Sequence, residues 1–422
     1  MKRFTGVAVV AFTALLLARS AAAQIRLHYA GIFEGTRAGE TAVIERFNEL
    51  YKGEIEVTIG PPIPPQDLLV RVVAGGAPDV VKFDRFNIAE WAHEGLLYPL
   101  DDYIVRDGID PADFFPAAWN EQVYRGKTYG LPWNIDVRVY LYNKEAFADS
   151  GLDPEAPPRT WRELDHYAQA LDRRSIDAFQ RIGFAAGVGN WYYLGWLFTA
   201  GGEVVDPEDR RVMWDSEEGI RAAEYVYDFA QRYGGAHVIR TRSASPGIAV
   251  ATGEFASILD GSWALGAMLS RFPSAEVGVA PPPRPEGLEH EPTSWSGGFA
   301  IAIPINTPPE KIEAAWTFIK YFTSAEIAAE MLGGSGIGQL PPRRSAILSP
   351  AYADNAPPQL FDFLAILPYS RFRPAIPMSG ELFNLYQRVE PMMFDQGFAP
   401  ANAVRETARL GQALLDEWWA RQ

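Results

Sequence analysis

Cysteine is absent from the whole 422-residue chain. That excludes disulfides, thiolate metal sites and cysteine nucleophiles, and with them a lipid-modified cysteine as a membrane anchor. Histidine is scarce: the five copies (His28, His93, His166, His237 and His290) are scattered. No H-E-x-x-H helix, G-x-S-x-G elbow, Walker loop or dinucleotide fingerprint occurs. The glycine-rich run Gly333, Gly334, Gly336, Gly338 lacks the following lysine of a phosphate loop, so it reads as a tight turn or hinge. Positive charge is in deficit, with a formal net charge of −15. That argues against general binding to nucleic acid or to an anionic membrane. Nor does any apolar run reach the roughly 20 residues a membrane-spanning helix needs, so no stable membrane insertion is expected.

What is present begins with a leader. Lys2 and Arg3 precede the uncharged run Val7 to Leu17, and Ala21, Ala22 and Ala23 offer a small-residue cleavage site before Gln24. This is the pattern of a secretory signal peptide over residues 1–23. The mature chain is then expected to be freely soluble in the periplasm. It is too long for one hydrophobic core, so two lobes are expected. With no disulfide available, stability has to come from burial, and 48% hydrophobic and 13% aromatic residues supply it.

The apolar periodicity alternates between strand and helix. Ile25 to Ala30 reads as a strand, and Val43, Ile44, Phe47 and Leu50 mark one face of a helix. Ile55, Val57 and Ile59 alternate as a second strand. Gln66 to Ala74 reads as a helix stopped by Gly75 and Gly76, and Val80, Val81 and Phe83 form a third strand. This order implies a parallel sheet with helices on both faces. The alternation resumes with a helix capped by Thr160 and Glu163 and a long amphipathic helix over 217–233. Short strands at 257–259 and 299–303 follow, then helices over 314–322 and 402–419. The fold class is α/β, and no segment reads as a flexible linker.

A set of phrases in fixed order runs through the chain. They are G-G-A-P-D-V-V at 75–81, Y-G-L-P-W-N-I-D at 129–136, L-Y-N-K at 141–144, G-L-D-P at 151–154 and P-P-R-T-W-R-E-L at 157–164. G-G-E at 201–203, D-G-S-W at 260–263, G-V-A-P-P-P at 278–283 and G-G-F-A-I at 297–301 continue it. A-W-x-F-I-K-Y-F-T-S at 315–324 and L-P-P-R-R at 340–344 close it. In this order the chain resembles the family 1 extracellular solute-binding proteins of ABC importers, the group that includes maltose-binding proteins.

The resemblance implies a two-lobe periplasmic-binding-protein fold of type II, with a ligand cleft between lobes joined by several crossing segments. It implies an N-terminal lobe of residues 24–135 and 298–338 and a C-terminal lobe of 139–293 and 342–422. Crossings are expected near 136–138, 294–297 and 339–341. It also implies a carbohydrate ligand of the α-glucoside, disaccharide or short oligosaccharide type, hinge closure around it, and a membrane permease as partner. No enzyme activity, cofactor or metal is expected, and a monomer is.

Sugars need aromatic faces for their C–H surface and directed partners for their hydroxyls. Asp84 and Arg85 follow the third strand at its carboxyl end, where open α/β sheets bind ligands, and match a sugar-contacting segment of maltose-binding relatives. By the same resemblance Asp136 stands where the relatives' ligand-binding acid does, with Trp133 and Asn134 just before it. Trp191, preceded by Asn190, and Trp263, in D-G-S-W with Asp260, fall at stacking positions. Glu34, in the loop after the first strand, and Trp295, before Gly297–Gly298, complete the expected ligand set. Trp196 and Trp316 sit on apolar helix faces and read as core.

Rival readings keep the fold and change the ligand. Arg85, Arg138, Arg343 and Arg344 leave glycerol phosphate or a sugar acid open, and a polyamine is a further alternative. The tandem Tyr192–Tyr193 raises ferric iron, since paired phenolates can bind it. A secreted glycosidase would need two facing carboxylates across a cleft.

Overall fold

A computed structural model of the chain describes residues 24–421 apart from 32–36, 175–178, 188–190, 207, 209, 234–244 and 334–337. The leader at 1–23, Glu34 and Asn190 therefore lie outside the described residues.

Two five-stranded sheets organise the molecule. In the first, Ile25–Ala30 is flanked by Ile55–Ile59 and Val80–Asp84, both parallel to it. The helices Arg37–Leu50 and Pro65–Ala74 make the crossovers that parallel pairing requires. The sheet is completed by Phe299–Ala302, antiparallel to Val80–Asp84, and by Leu131–Pro132 on its far side. The second sheet is built around Asp136–Asn143, buried along its whole length. Ser257–Gly261, Val277–Ala280 and Ser294–Gly297 all pair antiparallel with it. Ser370–Phe372 lies parallel outside Ser294–Gly297.

Residues 136–138 and 294–297 are thus strand residues of the second sheet. The chain passes between the sheets at 133–135 and at Gly298. A third segment at 338–340 runs alongside, with Ile135 N–H donating to the Leu340 carbonyl at 3.0 Å. Asn134 ties all three passages together. Its Oδ1 accepts from Phe299 N–H at 2.7 Å, and its Nδ2 donates to Gln339 Oε1 at 2.5 Å.

Local chemistry explains most element limits. Thr160 and Glu163 form the full reciprocal capping box at the start of Trp161–Leu171. Gly75, at φ +75°, ends Pro65–Ala74 in the left-handed cap expected of it. Helices over 309–322 and 400–420 start earlier than their apolar faces suggest. Both open on a proline, which the first helical turn accepts because its N–H has no partner there.

Period-2 alternation splits Asp136–Asn143 between two cores. Val137, Val139 and Leu141 join the core that includes Trp316 and the first sheet. Tyr140 and Tyr142 face the second core, with Trp161, Trp196 and Trp214. Trp196 and Trp316 are both buried core residues, as their helical neighbours suggest. Among the described residues no helix is long and apolar enough to cross a membrane.

Candidate functional site

The carboxyl end of Val80–Asp84, the start of Asp136–Asn143 and the ends of Ser294–Gly297 and Ser370–Phe372 meet where the chain passes between the sheets. Charged side chains converge there. Asp136 and Arg138 lie on one face of their strand, and Asp136 is in register with Gly297. Arg138 donates to Asp136 Oδ1, which also accepts from Gly297 N–H at 2.7 Å. Arg373 follows the ladder in which Ser296 pairs with Phe372, and so arrives beside Gly297. A Cβ at Gly297 would lie 3.2 Å from Arg138 Nη1, 3.3 Å from Arg373 Nη2 and 3.3 Å from Asp136 Oδ1. The two guanidiniums therefore share one small region.

Arg373 donates to Asp84 Oδ1 at 2.7 Å. Asp84 and Arg85, adjacent in sequence, diverge. Arg85, fully buried, donates to Glu121, to the Asn134 carbonyl at 2.8 Å and to Ser296 Oγ at 3.3 Å. Burial pushes the Glu121 carboxyl upward, against the pull of Arg85 and Arg373. Asp260, buried at the end of Ser257–Gly261, accepts from Gly261 N–H at 2.8 Å and acts electrostatically on Arg138. Four carboxyl side chains, Asp84, Glu121, Asp136 and Asp260, thus meet three guanidiniums, those of Arg85, Arg138 and Arg373.

Aromatic rings wall this region. The Arg138 guanidinium lies 3.5 Å from the Trp295 ring centre and 5.0 Å from that of Trp263. A desolvated contact of this kind is worth about 2 kcal/mol. Arg373 lies 3.8 Å from the Phe86 ring centre, 5.5 Å from Phe383 and 5.6 Å from Trp295. Trp263 is partly exposed and folds back over Gly261, where a Cβ would come within 2.2 Å of its ring. Tyr192 packs against Trp295 at 5.5 Å. Burial pushes its phenol up to about 12, so it keeps its proton near neutral pH.

Polar capacity remains unspent. The Nε groups of Arg138 and Arg373 and the Nε1 of Trp295 are buried without a hydrogen-bond partner, as is Glu121 Oε1. Each buried orphan costs about 1–3 kcal/mol. Among the described residues the hydrogen bonds of Asp84 and Asp136 fall on Oδ1.

The structure thus brings together Asp84, Arg85, Asp136, Asp260, Trp263 and Trp295 from the expected set. Asn134 contributes through its backbone carbonyl and by lacing the passages. Trp133 is buried just before it, 4.1 Å from Lys82 Nζ and in edge contact with Phe299. Trp191 packs in the second core, edge-on to Trp196 at 5.7 Å and closely against Gly195. Arg343 is turned away to Asp113 at 3.1 Å, and Arg344 lies over Phe115. The tandem tyrosines do not converge: buried Tyr193 donates to the Trp214 carbonyl at 2.8 Å. Sequence reading missed Arg373, Glu121, Phe86 and Phe383, and raised Tyr192 only as a phenolate for iron. One signal was available for Arg373: R-F-R at 371–373 puts two arginines on one side of a strand end.

The model of the bacterial extracellular solute-binding protein family matches residues 33–329. A maltotriose-binding protein of Pyrococcus abyssi is 23% identical over 339 residues, covering 80% of this chain and 70% of the relative. The sn-glycerol-3-phosphate-binding periplasmic protein of Escherichia coli K12 is 30% identical over 151 residues, which span only 32% of its length. Among solved structures, an ABC transporter solute-binding protein of Thermotoga lettingae bound with α-D-tagatose superposes with a TM-score of 0.80 at 24% identity. It covers 93% of this chain and 100% of the other. The maltose-bound MalE3 of T. maritima also gives a TM-score of 0.80, at 23% identity, covering 92% and 100%.

Proposed function

Because the chain belongs to the bacterial extracellular solute-binding protein family, we propose that it is the periplasmic substrate-binding subunit of an ABC importer. In this reading it closes on a neutral carbohydrate, a di- or oligosaccharide of the α-glucoside type, and delivers it to a membrane permease. The lobes are built on the two sheets and hinge at the three passages laced by Asn134.

The observation that carries the ligand class is the pair of buried guanidiniums beside Gly297, each matched to a carboxylate and floored by Trp295. A sugar hydroxyl both accepts and donates. It can take a hydrogen bond from Arg138 or Arg373 and give one to Asp136 or Asp84 Oδ2. Charge-assisted bonds of this kind are the stronger ones. Trp263 offers the partly exposed ring for the sugar's C–H face. A phosphate or carboxylate ligand would bring negative charge to guanidiniums already engaged by Asp136 and Asp84, which favours a neutral ligand over glycerol phosphate. Each site carboxylate is also engaged by an arginine or by backbone N–H, which suits recognition rather than glycosidase chemistry.

A thermal-shift panel tests this directly, with maltose, maltotriose, mannobiose, tagatose, glycerol 3-phosphate, spermidine and a ferric salt. Ligand at about 100 times its Kd adds roughly 2.7 kcal/mol of stability. Stabilisation by the glucosides is expected. Stabilisation by glycerol 3-phosphate alone would keep the fold and overturn the ligand.

Trp263→Ala is expected to weaken sugar binding by roughly 30-fold, as for a stacking hot spot, with the ligand-free thermal midpoint close to that of the parent. Titration calorimetry and thermal unfolding read the two effects. A ligand-free variant that melts far earlier would make Trp263 a packing residue.

A further inference from the structure

We propose that closure of the two lobes takes up a proton at Glu90, so that the closed form gains weight as the pH falls through the neutral range. The inference rests on the hinge-closure reading above, though not on the ligand being a sugar.

The seam between the lobes runs outward from the arginine cluster. On one side stand the turn Arg85–Asn87 and the helix Ile88–His93, which follow the first sheet. On the other stand the helix Ser379–Tyr386 and the end of Pro400–Ala420, which pack on the second core. Two aromatic contacts bridge it: Phe86 with Phe383, and His93 edge-on with Trp418, both at 5.5 Å between ring centres. Beyond His93 the seam loosens into a recess of about 210 Å³. Tyr124 and Arg125 line it from one side, and Met378, Leu415, Trp418 and Trp419 from the other. A seam with such a recess parts at small cost in packing.

Glu90 is on the same short helix as His93 and meets the seam directly. A Cβ on Gly380 would fall 2.9 Å from Glu90 Oε2, so the carboxyl rests on the backbone at the start of the facing helix. The Gly380 backbone amide opposes the rise of its pKa. The charged groups acting on it are both acidic: Glu381 on the facing helix and Glu94 beside its own. The other ionisable groups on the packed elements have different engagements. Arg85 is committed to Glu121 and Asn134. The Tyr124 hydroxyl is 2.9 Å from His93 Nδ1, and Arg125 lies over the Tyr124 ring. On the C-terminal helix Arg421 pairs with Glu417. Among the described residues no cation pairs with Glu90.

Closing therefore strips water from a carboxylate and sets it against two others. Burial first, then Glu381, pushes Glu90 from 4.5 up to about 7, the Gly380 N–H opposing and Glu94 adding. Opening re-solvates the group and returns it to the ordinary carboxylate range. A carboxyl raised only in the closed form penalises that form when ionised. The penalty is absent below the ordinary carboxylate value, grows as pH rises toward about 7, and levels off above it. Between pH 5.5 and pH 8 the closed-to-open ratio should fall roughly 30-fold.

The absence of cysteine makes a clean experiment available. Lys127→Cys and Glu417→Cys place two spin labels at exposed positions flanking the seam, and pulsed EPR reads the short- and long-distance populations of the ligand-free protein. The short-to-long ratio is expected to fall roughly 30-fold from pH 5.5 to pH 8. With Glu90→Gln added it should stay flat at its acid-side level, and with Glu381→Gln the slope should shrink. A flat profile in the parent, or an undiminished slope in Glu90→Gln, overturns the proposal. Repeating the series with saturating maltotriose separates the two readings. Sugar-driven closure without a pH slope sinks only the proton coupling; a pH slope without any response to the sugars of the thermal-shift panel sinks only the carbohydrate ligand.

Discussion

Arg373→Ala is expected to weaken sugar binding by about 2–5 kcal/mol, roughly 30-fold to a few-thousand-fold in Kd. The residue does three things in the structure. It pairs with Asp84 at 2.7 Å, it fills the slot between Phe86, Phe383 and Trp295, and its buried Nε awaits an acceptor. Truncation removes the donor and leaves Asp84 without its cation. Breaking a buried pair usually costs about 3–5 kcal/mol. Here the partners come from different sheets, and in the proposed hinge mechanism the ligand-free protein opens and hydrates Asp84. The loss should therefore appear in ligand affinity far more than in the ligand-free thermal midpoint. Arg373→Lys keeps the charge but not the planar fork, and should recover little. Calorimetric titration with the strongest ligand of the sugar panel is the measurement. An Arg373→Ala protein that binds within about 3-fold of the parent, well under 1.4 kcal/mol, would remove Arg373 from the site.

Gly298→Ala is expected to be strongly destabilising, costing about 3 kcal/mol of folding stability or more. Gly298 stands at φ +148°, a backbone conformation that L side chains rarely adopt, in the passage between Ser294–Gly297 and Phe299–Ala302. An added Cβ would fall 2.2 Å from Arg85 Nη1 and 2.7 Å from the Asn134 carbonyl oxygen. The side chain of Arg85 could move only by giving up buried bonds to Glu121 and Asn134. The Asn134 carbonyl is backbone, tied to a second passage. Strain, an orphaned charge and a distorted hinge add in one direction. Urea unfolding would show a lower midpoint, and sugar affinity should fall with it. A variant of parental stability would mean that the passage relaxes freely and is not a shaped hinge.

Much of the architecture is legible from local pattern. Val80, Val81 and Phe83 read as a buried strand, and the structure has Val80–Asp84 there. Thr160 and Glu163 announce a helix start, and both halves of the capping box form. Trp196 and Trp316 read as core from their helical neighbours, and both are buried. The site is legible only in part. Asp84, Arg85, Asp136 and Trp263 can be singled out because strand ends and recurring phrases mark them. The partners of those residues cannot. Asp84 and Arg85 look like one ionic unit in sequence, yet one is held by Arg373 and the other by Glu121. Trp191 and Trp263 look alike as ring-bearing neighbours of glycine, yet one is packed against Trp196 in the core and the other is partly exposed above Arg138.

The division follows from what each level of structure responds to. Strand and helix periods of 2 and 3.6 residues, proline and glycine stops, and side-chain caps act over a few residues. They are written directly in the chain, and together with its length and lack of cysteine they determine two α/β lobes stabilised by burial alone. The charge network depends on encounters between segments far apart, such as Arg373 meeting Asp84 across 289 residues. Burial then decides which charges must pair, because an unmatched one would cost several kcal/mol. No spacing rule specifies that choice. It is made only when two sheets bring their strand ends to the same side of Gly297.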